Sequence, residues 1–270
     1  MSEYVLGTDR SELERLGFQQ EVWGAVTAGF LDRLGVAPGW KVADLGCGPG
    51  FLLPEWLARV GGPAGGGEIH LVDESPRWHE HLRGELAGRE LGHVHAECSR
   101  VQDVELADEH YDLIFMRWVV SFLTDPAALI QRLSRALKPG GVFAVQDYNH
   151  EGVSLFPESE GFRAAIQATR ELYRTTGGDT WVGRRLPGIF RAAGLECVSL
   201  VPNVLAGGPD SPAFRWADAF FPAHVDGMVE KGVLSAADRD RFRSEWAERR
   251  ANPDAVFFSP IVVDAAARRP

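Results

Sequence analysis

Three glycines on alternate positions, with an acid two residues ahead of the first, hold the clearest chemical signal in this chain: Asp44-Leu45-Gly46-Cys47-Gly48-Pro49-Gly50. An apolar strand pattern, Lys41 to Leu45, runs into this stretch, and an amphipathic helix pattern, Leu52 to Val60, leaves it. Glycine permits a tight turn and lets a ligand touch the peptide plane. The helix that follows points its amide-rich, partly positive N-terminus at the same ligand. The stretch therefore predicts a nucleotide-like small molecule at the end of the first strand. A dinucleotide fingerprint spaces its glycines as G-x-G-x-x-G, whereas the spacing here is G-x-G-x-G. A carboxylate at Asp44 would repel a pyrophosphate and suits a ligand that carries an ammonium group.

Two further places bring together residues that can do chemistry. Asp73 closes the second strand pattern, where an acid can accept both hydroxyls of a ribose; the competing role is that of a helix N-cap, since Pro76 follows soon after. Asp147-Tyr148-Asn149-His150 lies at the end of the fifth strand pattern, on the edge where open α/β sheets bind ligands. His150 is the residue suited to removing a proton near neutral pH, and its alternative is a solvated loop histidine. Asp147 can hold an acceptor amine or cap the next segment. An aromatic group, Phe214, Trp216, Phe220, Phe221 and His224, marks either the wall of an apolar pocket or the packing face of a helix.

The elements that position these residues alternate strand and helix. Ser11-Glu12-Leu13-Glu14 reads as a capping box. Leu16, Trp23, Val26, Phe30 and Leu34 follow at helical spacing, with Gly17 a point where two helices divide. After Lys41 to Leu45 come a strand at Glu68 to Val72, a helix at Pro76 to Leu86 and a weak strand at His93 to Glu97. Tyr111 to Met116 is a near-continuous apolar run, typical of a buried parallel strand. A helix from Pro126 to Leu137 stops at Lys138-Pro139-Gly140-Gly141, and Val142 to Gln146 is the fifth strand. This repetition predicts a parallel sheet with helices on both faces. Beyond His150 the pattern predicts helices at Phe162 to Tyr173, Arg184 to Ala193, Ala213 to Glu230 and Ser235 to Arg250, with strands at Leu195 to Val201 and Val256 to Val263.

Composition sets outer bounds. Apolar residues make up 45% and charged residues 24%, as in an ordinary globular chain. With Lys plus Arg at 28 against Asp plus Glu at 38, the net charge of -10 argues against a nucleic-acid partner. No apolar run approaches the roughly 20 residues of a membrane span, and the acidic start, Met1 to Tyr4, predicts no secretory leader. Cys47, Cys98 and Cys197 are scattered and odd in number, which fits reduced thiols and a cytoplasmic setting. No Cys/His spacing suggests a metal site. A homodimer is compatible with this composition without being required by it.

The glycine loop resembles the first motif of the class I S-adenosylmethionine-dependent methyltransferases, and the later motifs fall into the same register. Tyr111-Asp112-Leu113-Ile114-Phe115 is similar to the family's fourth-strand motif, Met116-Arg117-Trp118-Val119-Val120 to the segment after it, and Leu137-Lys138-Pro139-Gly140-Gly141 to the turn before strand five. Gly177-Gly178-Asp179, Gly183-Arg184-Arg185-Leu186 and Ala193-Gly194-Leu195 look like the bacterial small-molecule subgroup of quinone-biosynthesis and natural-product type. The resemblance spans about Lys41 to Arg269.

It implies a doubly wound, Rossmann-like α/β fold with a seven-stranded sheet. Val256 to Val263 would be its antiparallel last strand, beside Leu195 to Val201, under helical cap segments. The implied division is one domain: residues 1–35 as an N-terminal helical cap, 36–150 as the cofactor core, 151–183 and 207–252 as cap insertions, and 195–201 and 256–263 as final strands. The implied cofactor is S-adenosylmethionine. The implied contacts are Tyr4, Asp44, Gly46, Cys47, Gly48, Asp73, Glu74, Arg100, Val101 and Arg117. Two positions depart from the family. Glu74 stands where many relatives place an apolar residue against adenine. Arg100 stands where many place an acid; a guanidinium cannot accept from an adenine amino group, so the expectation is that Val101's backbone reads the base while Arg100 turns toward Glu74. Ser121-Phe122-Leu123 replaces the familiar Glu-His-Leu.

The resemblance implies methyl transfer to an O, N or C atom of a small organic acceptor with an apolar body. Proximity and in-line orientation carry that reaction, and Asp147, Tyr148 and His150 are the candidate catalytic residues. For a hydroxyl acceptor, removing a general base at His150 predicts a loss of about 10²-fold or more. The alternative is a same-fold enzyme with non-methylating chemistry, cyclisation or aminocarboxypropyl transfer. A nicotinamide dehydrogenase is disfavoured by Asp44 and the glycine spacing, and a non-catalytic binding module by the intact loop.

Overall fold

The computed structural model describes residues 10–270. Its frame is a seven-stranded sheet in the order β3-β2-β1-β4-β5-β10-β7. The strands are β1 (Lys41–Leu45), β2 (Glu68–Asp73), β3 (Val94–Cys98), β4 (Tyr111–Arg117), β5 (Leu137–Asn149), β7 (Glu196–Asn203) and β10 (Ile261–Arg268). The first five pair in parallel, and β10 runs antiparallel between β5 and β7. The strand order reverses between β1 and β4, which is where a doubly wound sheet opens a ligand crevice.

Side-chain alternation along the strands divides the core in two. Ala43, Leu45, Ile114, Met116, Phe143 and Val145 bury one face beneath α4 (Pro126–Leu133) and α6 (Val182–Ala192). Val42, Leu71, Leu113, Phe115 and Ala144 bury the other beneath α1 (Arg10–Leu34), α2 (Leu53–Val60) and α3 (Pro76–Leu86). Asp112 is structural. It accepts the Lys41 backbone N–H at 2.8 Å and the Lys138 ammonium at 2.7 Å, and so ties β1 to the start of β5.

A third core lies over the carboxyl ends of the strands. Trp23 of α1 meets α5 (Glu160–Thr175), α7 (Pro212–Glu230) and α8 (Ala236–Ala251) there, around Phe162, Phe214, Phe242 and Trp246. A small sheet, β6 (Ser154–Phe156), β9 (Val256–Phe258) and β8 (Ala206–Gly207), joins this cap to the main sheet.

Three expectations change. The last strand pattern does not enter the main sheet whole: Val256–Phe258 pairs in the small sheet, and only from Ile261 does the chain insert beside β5. Pro260 stands at the break and cannot donate to a ladder. The N-terminal segment is one helix that passes straight through Gly17, where a Cβ would touch the Phe51 ring at 3.5 Å; this glycine marks close packing rather than a division. Ser11, expected to cap this helix, lies within it. Among the described residues, no helix is long and apolar enough to cross a membrane.

Candidate active site

A cavity of about 560 Å³ lies at the carboxyl ends of β1, β2, β4 and β5. The turn after β1 forms its floor. Gly46 adopts φ +77°, and a Cβ there would lie 2.2 Å from Val119 Cγ2. Gly48 adopts φ +57° with open space where a side chain would be, so a ligand can reach the peptide plane. The Val72 carbonyl accepts from both Gly46 and Cys47, at 2.7 and 3.0 Å, and fixes the turn against β2.

Two carboxylates face this floor. Asp73 accepts the Gly48 N–H through Oδ2 and the Ser75 N–H through Oδ1, each at 2.9 Å. Ser75, not Asp73, caps α3, by accepting from Trp78. A carboxylate offers about four lone-pair sites, so Asp73 retains capacity for hydroxyl donors. Asp44 accepts Trp56 Nε1 at 2.8 Å. Burial pushes the Asp44 carboxyl up to about 6, against the Trp56 hydrogen bond and the Arg117 charge that draw it down. Burial raises Asp73 as well, and it raises the Cys47 thiol, which has Asp44 and Asp73 nearby.

Glu74, Arg100 and Val101 line the same cavity. Arg100 Nε lies 3.6 Å from Glu74 Oε2 and 4.0 Å from Asp103, so the guanidinium turns toward acids. The Val101 carbonyl accepts from Arg132 Nη2 at 2.9 Å. Arg117 also lines the cavity; it donates to Thr27 Oγ1 at 3.2 Å and lies 4.7 Å from the Trp118 ring. Burial lowers its pKa to about 10, with Asp44 pulling the other way. Trp118 holds φ +56°, a conformation rare for a bulky residue, and stacks on Tyr148 with ring centroids 5.9 Å apart. Tyr4 lies outside the described residues.

The far wall comes from α1, α5 and α7. Trp216, Phe220 and Phe221 line it, whereas Phe214 stacks on Trp246 at 5.0 Å inside the cap core. His224 stacks on Phe220 instead of lining the cavity. The aromatic group thus divides between pocket and core. Tyr148 and His150 reach the cavity and Asp147 does not: its carboxylate accepts Ser121 N–H at 3.0 Å and Tyr148 N–H at 2.7 Å, holding the segment after β4 against β5. Burial pushes Asp147 up to about 6 and raises Tyr148. Burial, aided by Arg170, lowers His150 to about 3, and its Nδ1 has no hydrogen-bond partner among the described residues. A buried imidazole held this way is neutral at working pH.

Sequence reasoning passed over a polar set on the same wall. Glu12, Arg15 and Gln19 of α1, with Thr169 and Tyr173 of α5, line the cavity. Arg15 forms a two-point pair with Glu12, at 2.7 Å on each oxygen, and donates to Gln19 at 3.2 Å. Burial draws the Arg15 pKa down, and the Glu12 pair more than offsets it. The signal was present in the chain. Positions 12, 15, 19, 23 and 30 lie on one helical face, and polar residues on the stripe that buries Trp23 and Phe30 ask for a cavity.

Residues 43–145 match the family described as Methyltransferase domain. The chain is 30% identical over 116 residues to the ubiquinone/menaquinone biosynthesis C-methyltransferase UbiE of Shewanella sp. (strain ANA-3), covering 43% of this chain and 45% of that protein. Over these residues the chain is similar to S-adenosylmethionine-dependent methyltransferases. It spans about half the length of the curated relatives it matches.

Solved structures share the fold of this chain. A SAM-dependent methyltransferase from Aquifex aeolicus aligns at TM-score 0.55 and 21% identity over 72% of this chain and 93% of that one. The [4+2]-cyclase SpnF aligns at TM-score 0.58 and 18% identity over 91% and 80%. The cofactor of the family, S-adenosylmethionine, carries an ammonium, a carboxylate, a sulfonium and ribose hydroxyls. The cavity offers groups that fit it: the buried carboxylates of Asp44 and Asp73, the Arg117 guanidinium and a glycine floor with open space at Gly48. Among the described residues, no group of three or more His, Cys, Asp and Glu side chains could hold a metal ion.

Proposed function

We propose that this chain transfers a methyl group from S-adenosylmethionine to a small organic acceptor with an apolar body, within the cavity between sheet and cap. The observation that carries this reading is the division of the cavity lining. Asp44, Gly46, Gly48 and Asp73 line it from β1, β2 and the turn after β1, Tyr148 and His150 line it from the end of β5 beside an aromatic wall of the cap, and Arg117 stands between the two groups. The cofactor, when bound, supplies an already activated methyl on a sulfonium. Asp44 takes the ammonium, Arg117 the carboxylate and Asp73 the ribose hydroxyls, while Val101 and the Arg100–Glu74 pair flank the base. Cys47 contributes its backbone at the turn.

On the acceptor side, Trp118, Phe220 and Phe221 exclude water and align an apolar body. Tyr148 stays protonated and can donate a hydrogen bond, and neutral His150 can accept one. A histidine drawn so far down is a weak base. The site therefore favours acceptors that need little help with proton removal, and orientation supplies most of the acceleration. Asp147 positions Tyr148 through the backbone without meeting the acceptor. The weak base and the cyclase fold neighbour also support a second reading, non-methylating chemistry at the same site.

Product analysis tests both. The full chain, incubated with S-adenosylmethionine and a panel of hydrophobic phenols, quinols and amines, should yield S-adenosylhomocysteine with at least one of them. Methylthioadenosine in its place would signal aminocarboxypropyl transfer, and acceptor turnover without cofactor consumption would signal cyclisation. A thermal shift with NAD but none with S-adenosylmethionine would overturn both readings.

A further inference from the structure

A row of polar side chains crosses the sheet beneath α1, on a face that is otherwise apolar. Arg117 of β4 pairs in register with Gln146 of β5, and Gln146 with Asp264 of β10. Thr27, Gln146 and Asp264 are fully buried. Arg117 Nη1 donates to Thr27 Oγ1 at 3.2 Å, Thr27 to Gln146 Oε1 at 2.6 Å, and Gln146 Nε2 to Asp264 Oδ1 at 2.6 Å. Arg33, partly exposed at the far end of α1, closes the row on Asp264 Oδ2.

The directions in this chain follow from its Asp264 end. An ionised carboxylate only accepts, so Asp264 must receive the Gln146 amide N–H. The Gln146 carbonyl then faces Thr27, whose single hydroxyl proton goes to it across 2.6 Å, closer than the Trp23 carbonyl at 3.3 Å. The Thr27 oxygen is left with lone pairs for one donor, Arg117. Among the described residues, Thr27 is the one hydrogen-bond acceptor of a guanidinium that has five N–H donors. The remaining donors belong to a side chain that lines the cavity next to Asp44. Asp44 is the charge that balances this cation among the described residues, and the guanidinium's other N–H donors can serve an anion of the ligand.

We propose that Thr27, Gln146 and Asp264 are positioning residues that hold the Arg117 guanidinium toward the carboxylate end of the cofactor, with Arg33 anchoring the row at the surface. This rests on the proposed role of Arg117 in binding that carboxylate. Because Thr27 lies on the helix that also carries Glu12, Arg15 and Gln19, the same bond fastens the acceptor-side helix to the cofactor site.

The test compares two ligands by calorimetry on the full chain. S-adenosylhomocysteine has the amino-acid end, and 5′-methylthioadenosine lacks it. Thr27→Val should weaken S-adenosylhomocysteine about tenfold and change 5′-methylthioadenosine by less than twofold, and Thr27→Ser should restore the first value. Arg117→Lys should show the same selectivity for ligand, and adding Thr27→Val to it should have no further effect. If Thr27→Val does not fold, Arg33→Gln at the exposed end carries the same comparison, with about a threefold selective loss expected. Equal weakening of both ligands, or no loss for S-adenosylhomocysteine, would overturn the positioning role alone. Failure of the unmodified protein to bind S-adenosylhomocysteine would overturn it together with the function it rests on.

Discussion

The two ends of one cavity are built in different ways. The cofactor end comes from short turns after β1, β2 and β3 and from the end of β4, where the backbone itself is the recognition surface: Gly46 and Gly48 at positive φ, Asp73 held by two backbone N–H groups. The acceptor end comes from side chains of three helices far apart in sequence, met by Trp118, Tyr148 and His150 from the sheet. A backbone site tolerates few sequences, because glycine conformations and hydrogen bonds within a turn admit few substitutes. A side-chain site on packed helices can be relined while the fold stays the same. The contrast explains how one frame serves many acceptors, and it predicts that substitutions at the two ends act on different measurable quantities.

The largest effect is expected at Asp73. Its carboxylate holds the turn and, on the proposed function, the ribose as well, so Asp73→Ala removes acceptors for Gly48 and Ser75 N–H together with those for the ligand. We expect the cofactor dissociation constant to rise about 10²-fold, roughly 3 kcal/mol, the upper range for hydrogen bonds to a charged group. Asp73→Asn, which keeps one oxygen, should lose less. Titration calorimetry that finds the alanine variant within threefold of the unmodified protein would break the account of the cofactor end.

What the sequence made legible follows the same division. The glycine loop, Asp44, Asp73 and the β/α alternation are local signals, carried by residues adjacent along the chain. They located the floor of the cavity, and Arg100 does turn toward Glu74. The acceptor wall depends on how α1, α5 and α7 pack, which no local pattern fixes. Hence Arg15 and Tyr173 went unnoticed, and Phe214 was grouped with Phe220 although it packs on Trp246. The strand break at Pro260 was readable from proline's missing donor, but two apolar runs so close together read as one. The burial of His150 was not readable at all. A histidine at the end of a strand looks like a base until the helices above it are placed.

That burial sets the second expectation, an intermediate effect confined to the acceptor end. A true general base would cost about 10²-fold or more when removed. Since burial draws His150 to about 3, the part proposed for it is to orient the acceptor, and His150→Ala should lower kcat about tenfold. At saturating cofactor, turnover of the unmodified protein should stay flat between pH 6 and 8, and His150→Ala should leave cofactor affinity unchanged. A loss of 10³-fold with a pH-rate limb near neutrality would restore the base. A changed cofactor affinity would show that the two ends are not independent.

The smallest expected effect tests the electrostatics of the cofactor end. Burial holds Asp44 at about 6, so near that pH about half of the free protein carries a protonated carboxyl. An ammonium beside Asp44 favours the ionised form and lowers its pKa in the complex. Binding must then expel a proton, and affinity should fall as pH drops through the free value, by linkage. Between pH 8 and 6 the fall should be about twofold, steepening toward tenfold per unit below pH 5. Asp147 is also raised to about 6, but it does not line the cavity and should not respond to the ligand. Calorimetry at pH 6 in two buffers of different ionisation enthalpy should reveal about half a proton released per cofactor bound. Asp44→Asn should abolish that release, while a release that persists in this variant would assign the titration to another group and remove Asp44 from the ammonium site.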